Sequence, residues 1–111
     1  MTRGGHARLY INDGYVGEVL VQGAEDSWSH GEFRPAQGFA AFAPLFGRWS
    51  LAMHSGGAYE PLVHWASDEL RQVECNIDRL HAKLYFAESG RWVRCSQLNI
   101  DGPLIEWKVM T

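Results

Sequence analysis

Between Asp26 and Pro35 the run DSWSHGEFRP brings an indole, an imidazole, a carboxylate, a phenyl ring and a guanidinium together in ten residues. In an extended chain successive side chains alternate faces, so Trp28, His30 and Glu32 share one side while Ser29 and Phe33 take the other. Phe33 is then the core contact. His30 beside Glu32 could move a proton or act as an anchoring pair, and Arg34 could hold an anionic group. The anchoring role is the simpler of the two, because one H-x-E triplet names no reaction.

Larger signatures that would complete the triplet are missing. Zinc deamination uses H-x-E together with a downstream P-C-x-x-C; here Pro35 leads into Ala36-Gln37-Gly38, and the two cysteines, Cys75 and Cys95, are isolated. His54 and His64 fit no H-x-x-x-H helical pair that could join His30 around zinc. There is no G-x-S-x-G elbow to present Ser27 or Ser29 as a nucleophile, and no G-x-x-x-x-G-K phosphate cradle. No catalytic residue, metal ligand or cofactor is therefore expected, and both thiols read as free and buried.

The chain that must position these residues has 111 of them, enough for one domain over 1–111 with one core. It is 46% hydrophobic and 21% charged, ordinary for a globular protein. The net charge of −3 and the scattering of ten Lys and Arg as single residues argue against nucleic acid as a partner. The N-terminal MTRGGHARLY has no apolar core of signal-peptide length, and the apolar stretch from Phe39 to Phe46 is far too short to span a bilayer. No membrane association and a cytoplasmic location are expected.

The β-branched and aromatic runs ARLYI and YVGEVLV flank Asn12-Asp13-Gly14, which predicts a hairpin of strands 7–12 and 15–22 turning on Asp13-Gly14. Trp28 to Phe33 is a possible third strand, weakened by Gly31. Phe39, Phe42, Phe46, Trp49 and Met53 then recur in steps of three and four, a helical stripe facing the core. Pro44 splits it or opens the main helix, and Ser55-Gly56-Gly57 ends it. Ala66, Leu70, Val73, Ile77 and Leu80 repeat the spacing over a second helix, 67–80, capped by Ser67-Asp68-Glu69. His81 falls at the following junction, where it could cap carbonyls.

AKLYFAE, WVRCSQLNI and LIEWKVM complete the chain as a three-stranded meander, with Leu84, Phe86, Leu98, Ile100, Ile105, Trp107 and Val109 pointing inward. No internal repeat stands out. The predicted fold is α+β: an antiparallel sheet of five or six strands, built from the N-terminal hairpin and the C-terminal meander, covered by two central helices.

Function follows less directly. Five tryptophans are more than one core of this size needs, and Trp and Arg anchor interfaces more than other residues do. The expected role is a small non-enzymatic protein-interaction domain of inhibitor, adaptor or subunit type, binding a protein partner or itself. The binding candidates are Trp28, His30, Glu32, Arg34, Trp65 and Trp92. The alternative is a small enzyme or ligand-binding protein with a pocket around His30, Glu32 and Arg34.

Overall fold

Asn12 and Asp13 both adopt positive φ, 51° and 70°, and these two residues alone reverse the chain between β1 (His6–Ile11) and β2 (Gly14–Glu25). Two consecutive left-handed residues form the hairpin turn whose twist matches that of the flanking strands, and Asn and Asp tolerate this conformation better than most residues. Ile11 therefore faces Gly14 across the turn, so the reversal comes one residue earlier than Asp13-Gly14 suggests. The turn is clasped from outside: Asn12 N–H donates to the His81 carbonyl at 2.8 Å and His81 N–H donates to Asn12 Oδ1 at 2.9 Å. His81 thus works through its backbone rather than by capping carbonyls with its ring.

The structure, a computed structural model, describes residues 5–55 and 71–110. After β2 come β3 (Trp28–Pro35), a 3-10 turn (Gln37–Ala41), helix α1 (Ala43–Ser55), a helical segment α2 over 71–78, then β4 (Ala82–Phe86), β5 (Arg91–Asp101) and β6 (Leu104–Val109). The third strand is thus real, and two residues longer than its pattern indicated. The aromatic stripe breaks as Pro44 requires. Phe39 sits in the 3-10 turn, Pro44 is the second residue of α1, and both Phe46 and Trp49 are buried. Phe42 is half-buried, and the Gly56-Gly57 stop lies outside the described residues.

The predicted open sheet covered by two helices is not what forms. The six described strands close into one antiparallel barrel in the order β1-β2-β3-β6-β5-β4, and the described helical residues are additions to it and not a layer over an open sheet. Closure arises because β1 pairs with β4 and β3 with β6, so neither three-stranded meander keeps a free edge. The two longest strands supply the bend: β2 shifts register between Val21 and Gly23, and β5 between Cys95 and Gln97. Such an extra residue raises local twist and lets a sheet curl shut.

The barrel also contains a repeat that is inconspicuous in the sequence. Ala7-Arg8-Leu9-Tyr10-Ile11 and Ala82-Lys83-Leu84-Tyr85-Phe86 occupy equivalent strands of the two meanders. They pair antiparallel about Leu9 opposite Leu84, with Arg8 facing Tyr85 and Tyr10 facing Lys83. The equivalent junction of β3 with β6 runs from Trp28–Lys108 to Glu32–Leu104 and is centred on His30 opposite Glu106.

Odd-numbered residues of β1, β3 and β6 point inward, as period two demands. Leu9, Val19, Phe33, Leu84, Leu98, Ile100, Ile105 and Trp107 fill the barrel and are almost wholly buried. Phe86 is only half-buried and Val109 is exposed, departures from the expected inward set that fall at strand ends. The core continues out of the barrel through stacked rings: Phe33 meets Phe39 edge-on at 4.9 Å, and Phe39 stacks on Phe46 at 6.0 Å. Val73 and Ile77, one turn apart on α2, complete it. Among the described residues no helix is long and apolar enough to cross a membrane.

The thiols divide by location. Cys95 is buried and free, whereas Cys75, expected inside, is exposed on α2. Burial pushes the Cys95 thiol up to about 12 from an ordinary value of 9.0. Maleimide should therefore label one cysteine rapidly in the folded protein and two after unfolding. From pH 9.0 to about 12 the folded chain keeps the Cys95 proton while the unfolded chain releases it, so stability should fall across that window. A pH-independent melting temperature there, or rapid native labelling of Cys95, would contradict its burial.

Candidate functional site

Strand alternation places Trp28, His30, Glu32 and Arg34 on the outer face of β3, as their spacing predicted, and turns Phe33 into the core. Their partners differ from the expected ones. Glu32 accepts from Arg34 Nε at 3.0 Å, not from His30. Both side chains are largely exposed, so this pair contributes about 0–1 kcal/mol. Trp28 packs under Lys108, whose Nζ lies 5.6 Å from the ring centroid. Trp65 lies outside the described residues.

His30 borders a cavity of about 250 Å³ between the outer face of β3–β6–β5 and helix α1. Gln22, Asn99, Asp101, Leu104 and Glu106 line it with His30, and the Trp49 indole forms the wall on the α1 side. Neither Glu32 nor Arg34 lines this cavity, so those two do not converge with His30. Within it, Asn99 Nδ2 donates to Glu106 Oε1 at 3.2 Å, and Ser50 Oγ of α1 donates to Asp101 Oδ1 at 3.0 Å. The buried indole N–H of Trp49 has no hydrogen-bond acceptor among the described residues. No group of three or more His, Cys, Asp or Glu side chains there could hold a metal ion, again among the described residues.

The larger assembly of chemically active groups is elsewhere, on the outer face of β2–β1–β4–β5. Register aligns its side chains in two rows across four strands. Glu18, Arg8, Tyr85 and Trp92 form one, and Tyr15, Tyr10, Lys83 and Arg94 form the other. The rings touch in a chain: Tyr15 to Tyr10 at 5.7 Å, Tyr10 to Trp92 at 5.2 Å and Trp92 to Tyr85 at 4.8 Å. Lys83 Nζ sits 4.7 Å from the Trp92 centroid while its charge is shared with Asp13 at 3.1 Å. Despite these neighbours Trp92 remains 51% exposed and Tyr15 38%.

Charge on this face differs from that of the whole chain. Arg8, Lys83 and Arg94 stand against Glu18 and Asp13, an excess of one positive charge on a protein of net charge −3. Lys83 is paired with Asp13, and Glu18 with His6, the first residue of β1. Neither Arg8 nor Arg94 has an ion-pair partner among the described residues. Partial burial and the Glu18 carboxylate both raise the Tyr15 pKa, which keeps its hydroxyl a neutral donor and acceptor.

Of the expected binding residues that are described, only Trp92 belongs to this face. Tyr10, Tyr15 and Tyr85 were missed: the hairpin alone brings Tyr10 to Tyr15, but two exposed tyrosines are no site by themselves, and Tyr85 and Trp92 reach them only when β1 pairs with β4. The usable signal was the likeness of ARLYI to AKLYF, which places an outward Tyr and an outward cation in each half. Compared with protein-family models, with curated proteins and with solved structures, the chain matches none.

Proposed function

We propose that the protein is a non-enzymatic interaction domain that binds an acidic, ring-bearing segment of a protein partner on the outer face of β2–β1–β4–β5. The aromatic ladder of Tyr15, Tyr10, Trp92 and Tyr85, exposed at Tyr15 and Trp92 and flanked by guanidinium groups of Arg8 and Arg94 that have no ion-pair partner among the described residues, carries this reading. Aromatic side chains supply contact area with few rotamers to freeze, and Trp, Tyr and Arg are the residues that most often dominate binding energy. The rings already brace one another, so little order remains to be lost on binding. These two guanidinium groups, on β1 and β5, favour carboxylates on the partner.

The test is a titration of labelled protein with three short peptides containing Phe and Tyr, one rich in Glu, one neutral and one rich in Lys. The Glu-rich peptide should shift the resonances of Trp92, Tyr85 and Tyr10, and Trp92→Ala should weaken it at least about tenfold. That variant loses ring contacts worth about 1–3 kcal/mol in all and should still fold. Equal binding of the Lys-rich peptide, or undiminished affinity in both Trp92→Ala and Arg94→Ala, would overturn the proposal. A concentration-dependent dimer abolished by Trp92→Ala would replace the foreign partner with a second copy of the chain.

A further inference from the structure

We infer that the cavity between α1 and the outer face of β3–β6–β5 is a binding site for a small organic ammonium group, separate from the aromatic face. Its volume, about 250 Å³, is a little under the ~300–1,000 Å³ typical of small-molecule sites, so the ligand is a compact one. Its fixed charges are all negative. Glu106 brings the carboxylate open to a ligand, Asp101 a second one already engaged by Ser50, and Asn99, having given its amide N–H to Glu106, keeps its carbonyl oxygen as an acceptor. No Lys or Arg lines the cavity. The cation next along β6, Lys108, leans over the Trp28 ring instead.

Glu106 is the centre of the site. Asn99 occupies one of its oxygens, and the other has no partner among the described residues. It stands opposite His30 at the middle of the β3–β6 junction, held there by ladder pairing on both sides. Gln22 adds a neutral amide, and the Trp49 ring, Leu104 and Ile105 supply the apolar wall. An ammonium on a short alkyl stem matches this arrangement, with the charge at Glu106 and the stem against the indole. A bare metal ion does not match it, because no three ligating side chains converge among the described residues.

Titration with n-butylammonium, followed by nuclear magnetic resonance, separates the outcomes. Saturable shifts are expected at the Trp49 indole N–H, the Asn99 side-chain amide and the His30 ring, with none at Trp92. Butyrate and n-butanol, equal in stem but not in charge, should produce none of them. Glu106→Gln preserves the shape and removes the charge, and should weaken the amine at least about tenfold, the loss expected from one charge-assisted hydrogen bond. Leu104, which is 63% exposed on the rim, offers an independent variant that leaves the core untouched: Leu104→Trp should obstruct the cavity and abolish the shifts. Unchanged affinity in Glu106→Gln or in Leu104→Trp, equal response to butyrate, or no response to millimolar amine would overturn the inference.

Discussion

Phe46→Ala is expected to lower stability by about 3–5 kcal/mol, and its neighbour Gly47→Ala to raise it by about 0.5–1 kcal/mol. Phe46 is 2% exposed and is the last ring in the stack that leads from Phe33 through Phe39 into α1. Truncation removes its transfer energy and strips a face from Phe39. It also enlarges an apolar cleft of about 380 Å³ that already borders Phe33, Phe39, Phe46 and Ile100. Because water can enter a cleft open to the surface, the loss should fall nearer the lower figure than in a sealed core. At Gly47 a Cβ meets nothing within 4 Å, so alanine there costs no packing and restricts the unfolded chain. Urea denaturation of both variants measures the pair. A Phe46→Ala loss below about 1 kcal/mol would mean that α1 does not seal the barrel.

The same stack shows what a sequence can and cannot convey. The helical spacing of Phe46 and Trp49 and the strand alternation of Leu84, Leu98, Ile100, Ile105 and Trp107 are local periodicities, and each residue is buried as its period requires. Which strands become neighbours is not local. An open sheet under two helices and a closed barrel with two helical additions satisfy identical inward and outward patterns. They differ only in whether β1 finds β4 and β3 finds β6, across 71 or more residues between their nearest paired positions. The register shifts in β2 and β5 that permit closure leave no clear mark either. One of them lies at Val21 to Gly23, where the predicted strand, 15–22, ends, whereas β2 runs on through the shift to Glu25.

Site chemistry followed the same division. Period two placed Trp28, His30 and Glu32 on one outward face, and the structure has them there. The choice of partner depended on what lay across the sheet: Glu106 stands opposite His30, and Glu32 is taken by Arg34 on its own strand. The aromatic ladder was hidden more completely. Its rows draw on residues from Arg8 to Arg94, and Trp92 has the parity of the inward Leu98 and Ile100, so that only the register shift between Cys95 and Gln97 turns it outward.

Gly31→Ala should be the most damaging single-atom addition in the polar run, with a loss of about 3 kcal/mol or more. A Cβ built on Gly31 would lie 2.2 Å from the Leu20 carbonyl oxygen, 3.0 Å from its carbon and 3.1 Å from Val21 Cα. All three are backbone atoms of the neighbouring strand, so no side-chain rotation relieves the overlap. Gly31 pairs with Val21 on one side, next to the register shift of β2, and with Ile105 on the other, and β2 could yield only by leaving the ladder that closes the barrel. Its φ is not positive, so glycine is required for space and not for a left-handed conformation. Gly23 provides the contrast: its Cβ would first meet His30 Nε2 at 3.0 Å, the end of a ring that can turn aside. Gly23→Ala should therefore cost under about 1 kcal/mol, while Gly31→Ala lowers the melting temperature by more than about 10 °C. Were Gly31→Ala to fold with parental stability and lose only ligand binding, the glycine of the H-G-E triplet would belong to a site's chemistry. Its assignment to the packing of β2 against β3 would then fail.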